Sequence, residues 1–120
     1  MTNTESKLLN YKYGVGILQL NTERDDLLFR SYDEICKIIH QPERHNYDLI
    51  YTYETDKNFV ADEYCLNSIW ERFNIALPSD FTGHSLSVSD IIIIKNNDKI
   101  DAYYVDTWGF KYLENFNINV

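Results

Sequence analysis

The sequence predicts an α+β fold in a single domain, with an antiparallel β-sheet and two α-helices packed on it. Three observations predict this fold. Four consecutive isoleucines, Ile91–Ile94, indicate a strand that is covered on both faces. The alternating, aromatic-rich segment Asn46–Asp56 indicates another strand. Two stretches with apolar residues at helical spacing begin near Ser31 and Asp62. With 120 residues, 44% of them hydrophobic, the chain is long enough for one core.

The N-terminal part of the chain begins with polar residues, and we expect residues 1–10 to be a flexible arm and 11–120 to be the domain. The first strand is predicted over Lys12–Leu20. Its Gly14 and Gly16 are typical of a bulge or of a close approach between backbones. Neither glycine belongs to a phosphate-binding motif, because the G-x-G-x-x-G and G-x-x-x-x-G-K-S/T patterns are both missing.

The first helix is predicted from a capping box. In "SYDE" the hydroxyl of Ser31 meets the first-turn amides while Glu34 reaches back, and Pro42 ends the helix. The residues with the spacing of a buried stripe are Tyr32, Ile35, Cys36 and Ile39.

The strand Asn46–Asp56 and the helix after it carry predictions about faces. Strict alternation places Leu49, Tyr51 and Tyr53 on one face of the sheet, and Ile50 and Thr52 on the other.

The second helix is predicted to start near Asp62 and to end near Asn74, where a left-handed cap is common, before Pro78. Its buried stripe comprises Leu66, Ile69, Trp70 and Phe73.

The isoleucine run is predicted to be the central strand of the sheet. The turn residues Lys95–Lys99 tolerate positive φ, and Ile100–Asp106 forms the returning strand. Gly109 permits a further turn into a short last strand, "FKYL".

Charge restricts the classes of partner. The chain has 19 acidic and 11 basic residues and a net charge of −8, so we expect no direct nucleic-acid binding and no binding to anionic membranes. A protein that occupies the nucleic-acid site of a basic partner would have such a charge. The candidate partner-binding residues are Asp25, Asp26, Glu54 and Asp56, with Trp108 and Tyr112 for an apolar contact. Acidic faces are often only solvated, and that alternative stays open.

Metal and cofactor sites are not predicted. Cys36 and His40 are four residues apart on one helix without an obvious third ligand, and Cys65 lies on an apolar face. No apolar run has the ~18 residues of a membrane span, and no apolar leader opens the chain. We therefore expect a reduced, cytoplasmic protein.

The segment "GHSLSVSD" contains the residue types of a Ser-His-Asp triad, namely His84, Ser85, Ser87, Ser89 and Asp90. However, adjacent residues of an extended segment point to opposite faces, and the G-x-S-x-G elbow is missing. We favour a structural role, in which these short side chains bond the backbone where a loop enters the central strand.

The segment from Ile69 to Phe116 resembles the YodL-like domain family. The family pattern is a helix ending in F-N, then P-x-D-F-x-G-H-S-L-S-V-S-D, an apolar strand, and A-Y-Y-V-D-S-x-G-F. The matching positions are Phe73, Asn74, Pro78, Asp80, Phe81, Gly83 to Asp90, Ala102, Tyr103, Tyr104, Val105, Asp106, Gly109 and Phe110. Thr107 stands where serine is expected, and Trp108 where phenylalanine is usual.

The resemblance implies an accessory protein of phages and mobile elements of Gram-positive bacteria, without a firmly attached catalytic activity. We expect a binding protein rather than an enzyme. The leading hypothesis is a stoichiometric inhibitor of a host defence effector of the CRISPR or restriction type. The alternative is a regulator of a host cytoskeletal or replication protein, because the family's namesake is associated with interference with the cell-shape machinery. The third hypothesis is a small hydrolase that uses His84. The sequence leaves monomer and homodimer open.

Overall fold

A computed structural model describes residues 2–118 of the chain. The helices are α1 (Asn3–Asn10), α2 (Tyr32–Ile39) and α3 (Glu63–Ile75). The strands are β1 (Tyr13–Leu20), β2 (Tyr47–Glu54), β3 (Ile91–Asn96), β4 (Lys99–Val105) and β5 (Phe110–Tyr112). Short 3₁₀ segments cover Thr22–Leu27 and Arg44–Asn46. Within residues 2–118, none of these helices combines the length and the apolar character that crossing a membrane requires.

The five strands form one antiparallel sheet in the order β2-β1-β3-β4-β5, so the isoleucine strand β3 is the central one. Helices cover both faces of this sheet. Ile92 packs with Ile69 and Phe73 of α3, and Ile93 packs with Leu8 of α1 and Ile35 of α2. The predicted single α+β domain with a doubly covered central strand is therefore confirmed.

Local signals in the sequence place most element ends correctly. The capping box of α2 is formed, because the Glu34 amide donates to Ser31 Oγ at 3.2 Å and the Ser31 amide donates to Glu34 Oε1 at 3.1 Å. The hairpin between β3 and β4 turns at Asn97, whose φ is 56°. Gly16 marks a close approach, since a Cβ there would lie 3.0 Å from Leu49 and 3.1 Å from Leu8.

The predicted flexible arm over residues 1–10 contains a helix instead. Thr2 caps α1 by accepting a hydrogen bond from the Glu5 amide at 3.1 Å, and Leu8 is fully buried against the sheet. Glu5 also pairs with Arg44 at 2.8 Å. The arm prediction relied on the scarcity of apolar residues, but a single leucine and one ion pair attach this helix, so the domain has three α-helices rather than two.

The predicted faces of the second strand are wrong at Leu49. In β2, Tyr51 pairs with Ile17 and Leu49 pairs with Leu18, so Ile50 is an extra residue that forms a β-bulge. The bulge turns Leu49 toward α1, whereas Tyr51 lies on the α3 face. Strict alternation fails because one inserted residue reverses every side chain that follows it.

Two expectations about α3 are also wrong. Asn74 lies inside the helix, which ends at Ile75 before the C-cap Ala76 with φ −132°, and the side-chain Nδ2 of Asn74 donates to the Leu86 carbonyl at 3.0 Å. Trp70 belongs to the predicted buried stripe but is exposed. The other three residues of the predicted stripe, Leu66, Ile69 and Phe73, are buried as expected.

Candidate functional site

The loop Gly83–Asp90 crosses the end of β1 before it enters β3. Gly83 permits the crossing, because a Cβ there would lie 2.3 Å from Ile50 Cδ1 and 2.4 Å from Gln19 Oε1. Only glycine fits this approach without displacement of the strand side chains.

Gln19 of β1 holds the loop by its side-chain amide. Its Nε2 donates to the His84 carbonyl at 2.8 Å and to Asp90 Oδ2 at 3.1 Å, and its Oε1 accepts from the His84 amide at 3.2 Å. Both amide protons are thereby used, so the contact of Nε2 with His84 Nδ1 at 3.2 Å is not a hydrogen bond. The imidazole instead donates from Nδ1 to the Ser85 carbonyl at 2.7 Å.

Asp90 is fully buried at the base of this loop. Its Oδ2 accepts from the Ser87 amide at 2.9 Å and from Gln19, but its Oδ1 has no hydrogen-bond partner. Burial raises the pKa of the Asp90 carboxyl to about 8, although these two hydrogen bonds act in the opposite direction. Oδ1 faces Nε2 of His84 at 3.9 Å. A protonated, neutral Asp90 fits this buried position, where Oδ1 has no hydrogen-bond donor.

This arrangement does not supply the geometry of a hydrolase triad. In such a triad the carboxylate bonds the imidazole N–H and the other nitrogen faces the nucleophile. Here Nδ1 bonds a backbone carbonyl, and the other nitrogen faces Asp90. Ser87 Oγ donates to the Ser85 carbonyl at 2.8 Å, and Ser89 Oγ accepts from the Phe29 amide at 3.2 Å. No serine hydroxyl within residues 2–118 bonds the imidazole, so His84 has no serine nucleophile in this geometry.

Ser89, at the end of the loop, forms hydrogen bonds with Tyr47 of β2 and with Phe29. Its backbone is left-handed, with φ 90°, and its carbonyl accepts a hydrogen bond from the Tyr47 hydroxyl at 2.8 Å. Burial raises the pKa of that hydroxyl, so Tyr47 stays a donor. Because Ser89 Oγ also holds the Phe29 amide, this one buried residue positions the segment that precedes α2.

Tyr104 and Asp106, which belong to the A-Y-Y-V-D part of the family pattern, also bond the segment that leads into α2. The Tyr104 hydroxyl donates to the Arg30 carbonyl at 2.7 Å, and Asp106 Oδ1 accepts from the Tyr32 amide at 3.0 Å and from the Thr107 amide at 2.8 Å. Tyr103 lies on the α3 face and contacts Tyr112 with ring centroids 5.4 Å apart. The motif residues thus fix how the loops meet at one end of the sheet.

The sequence model of the YodL-like domain family matches residues 14–116. The chain belongs to the YodL-like domain family. No curated protein and no solved structure matches it.

In this YodL-like domain, exposed aromatic side chains surround the sheet end that the motif fixes. Trp108 in the turn before β5 is 90% exposed, and Phe29 is 65% exposed. The backbone of Phe29 is left-handed, with φ 65°. Beside them, Trp70 and Val88 line a groove of about 380 Å³ together with residues 105–107, 109 and 110. We call Phe29, Trp70 and Trp108 the aromatic end.

The acidic candidates do not form one face. Asp25 and Asp26 are exposed in the 3₁₀ segment that follows β1, near the aromatic end, and Asp26 pairs with Arg24 at 3.0 Å. Glu54 and Asp56 follow the opposite end of β1, since Glu54 pairs with Gly14. Tyr112 lies on β5, and its hydroxyl donates to Asp101 at 3.2 Å. The structure therefore places two of the four acidic candidates in the segment that leads to Phe29.

Sequence reasoning missed Gln19 and Phe29. A signal for Gln19 existed, because it is the polar residue of the otherwise apolar "YGVGILQL". Phe29 carried no signal, since its contact with Ser89 joins positions 60 residues apart. No group of three or more His, Cys, Asp or Glu side chains within residues 2–118 is arranged to hold a metal ion, and Cys36 and Cys65 are free thiols.

Proposed function

We propose that this protein is a non-catalytic binding protein from a phage or mobile element, and that it inhibits a host defence effector of the CRISPR or restriction type stoichiometrically. In this proposal the aromatic end is the contact surface. The partner is a cytoplasmic protein with a basic nucleic-acid site, and the inhibitor itself binds no nucleic acid. The observation that carries the proposal is the combination of exposed Phe29 and Trp108 with part-buried hydrogen bonds that hold the neighbouring backbone.

Rigid aromatic side chains suit a protein contact. Aromatic residues are enriched among the residues that dominate binding energy, and a fixed backbone reduces the entropy lost on association. Phe29 is fixed by the Ser89 hydroxyl, and the turn that carries Trp108 is fixed by Asp106. These bonds set the backbone position from which each anchor projects.

Charge supports a basic partner. The net charge of −8 attracts a basic surface over a distance of about a Debye length, ~10 Å at 0.1 M salt. Asp25 and Asp26 lie beside the aromatic end and would meet the rim of such a surface. Glu54 and Asp56, at the other end of the sheet, contribute to long-range attraction only.

The test measures protection of phage against defence in bacterial cells. Strains with single CRISPR or restriction systems express the wild type, Trp108→Ala or Phe29→Gly, and phage plating efficiency is scored. We expect wild type to restore plating in at least one strain and both variants to lose most of the effect. Ile75→Ser is the matched control, because Ile75 is 83% exposed at the end of α3 and is not part of the aromatic end.

The purified effector then distinguishes the mechanism. Titration of its nuclease activity should reach complete inhibition at a fixed molar ratio of inhibitor to effector. Complete loss at a small fraction of that ratio would indicate an enzyme and would contradict the proposal. Absence of protection in every strain, with binding to a cytoskeletal or replication protein through Trp108, would replace it with the alternative regulator function.

A further inference from the structure

A second pocket lies on another side of the molecule. It is a cavity of about 560 Å³ between the C-terminal end of β2, the loop that follows it and α3. Tyr53, Phe59 and Tyr64 form its aromatic walls, and Arg72 lies at one side. Its remaining polar lining is Thr55, Asp56, Asn58 and Ser68, with the Cys65 thiol. None of these residues belongs to the aromatic end, and Asp56 is the one pocket residue that also has a part, as a distant charge, in the function proposed above.

Arg72 is the unusual residue of this pocket. The chain has four arginines, and three of them pair with carboxylates: Arg24 with Asp26, Arg30 with Glu34 and Arg44 with Glu5. Arg72 makes no ion pair with any residue in the range 2–118. Since no carboxylate among these residues pairs with Arg72, its guanidinium can bind an anion from solution.

Stacking fixes the guanidinium of Arg72 in place. Its Cζ lies 4.5 Å from the centroid of the Tyr53 ring and 5.6 Å from that of Phe73. A guanidinium stacked on a ring keeps the N–H donors at its edge available for a planar or tetrahedral oxyanion. Tyr64, which is 82% exposed, and Phe59 offer ring surfaces in the same pocket.

We propose that this pocket binds a small organic anion with a planar ring, the anionic group lying on Arg72 and the ring lying against Tyr64 and Phe59. Thr55, Asn58 and Ser68 bear hydroxyl and amide groups that select polar substituents of the ring. The Cys65 thiol takes no part in covalent chemistry, because burial raises its pKa and keeps it protonated. Asp56 acts against an anion, but it is exposed and its Oδ1 accepts from the Asn58 amide at 2.8 Å, so solvent screens much of its charge.

The test uses three probes in NMR titrations of ¹⁵N-labelled protein: phenyl phosphate, benzyl alcohol and inorganic phosphate. We expect phenyl phosphate to bind more tightly than either fragment and to shift the amide signals of Thr55, Asn58 and Ser68. Equal affinity of phenyl phosphate and benzyl alcohol would overturn the role of the anion. Equal affinity of phenyl phosphate and inorganic phosphate would overturn the role of the ring.

Variants locate the site. Arg72→Gln should weaken phenyl phosphate binding by about tenfold or more, and Arg72→Lys should weaken it less, since lysine keeps the charge but not the planar donors. Asp56→Asn should tighten binding about twofold, because it removes a repelling charge without disturbing Arg72. Arg30→Gln, outside the pocket, should leave the affinity unchanged. Unchanged affinity in both Arg72→Gln and Asp56→Asn, or signals that shift elsewhere, would refute the site.

Discussion

Replacement of Asp90 by asparagine should remove a large pH dependence from the stability of the fold. The folded pKa of Asp90 is about 8, against an ordinary value of 3.8, because the carboxyl is buried. A group with a raised folded pKa contributes stability that is fully present below its unfolded pKa and is lost as the pH rises through its folded pKa. The loss therefore falls between about pH 4 and pH 8. At ~1.4 kcal/mol for each pKa unit, the free energy of unfolding should fall by roughly 4 kcal/mol between about pH 5 and about pH 9.

Asparagine fits the same place without this loss. Its oxygen can accept the hydrogen bonds from the Ser87 amide and Gln19 that Oδ2 now accepts. Its amide group then takes the position of Oδ1, which lies 3.9 Å from Nε2 of His84. We therefore expect Asp90→Asn to be more stable than wild type by a few kcal/mol near pH 8, and about equally stable near pH 4.

The assay is urea unfolding followed by far-UV circular dichroism over this pH range. Asp48→Asn is the matched control, because Asp48 is an exposed carboxylate on the edge strand β2. A ¹³C titration of the Asp90 carboxyl in the wild type measures its pKa directly, even where the variant folds poorly. Parallel pH profiles for wild type and Asp90→Asn, or a measured pKa near 4, would show that the buried carboxyl is charged and that our reasoning about it is wrong.

The remaining predictions concern the core, the hydrogen bond between Ser89 and Phe29, and charge. Ile92→Asp and Ile93→Asp should each prevent folding, because each buries a carboxylate on one face of β3, and circular dichroism showing both folded with unchanged melting would contradict this. Ser89→Ala should lower stability by about 0.5 to 2 kcal/mol in urea unfolding through loss of the bond to the Phe29 amide, and an unchanged midpoint would remove that role. Joint amide substitution of the four acidic candidates should slow association with an identified partner and reduce its salt dependence in stopped-flow kinetics, whereas unchanged rates would exclude charge steering. The four are Asp25, Asp26, Glu54 and Asp56.

The fold could be predicted because its strongest signals are local. An uninterrupted run of buried isoleucines, Ile91–Ile94, fits only a strand covered on both faces, and the turn after it fixes its hairpin partner. Ser31 and Glu34 exchange two hydrogen bonds within four residues, so the start of α2 can be predicted from the local sequence.

The errors arose where a distant contact overrides a local pattern. Alternation in β2 fails at Ile50 because the pairing with β1 skips that residue, and register is a property of two strands. The helix α1 forms from a polar segment because Leu8 is buried against Gly16 of β1. This packing position exists only once the sheet is assembled. Neither effect can be read from a window of ten residues.

The strained backbone of Phe29 supports the binding role proposed for the aromatic end. A left-handed backbone costs a residue with a side chain about 1 kcal/mol, and a bulky residue there is a genuine outlier. A ring that is 65% exposed gains little from burial in return, so folding alone favours glycine or asparagine at this position. Strain of this kind points from an observed outlier to a hypothesis of function. If Phe29→Gly leaves the fold as stable as before or more so and yet abolishes inhibition, the phenyl ring serves the partner, and if it lowers stability without affecting inhibition, the ring serves the fold.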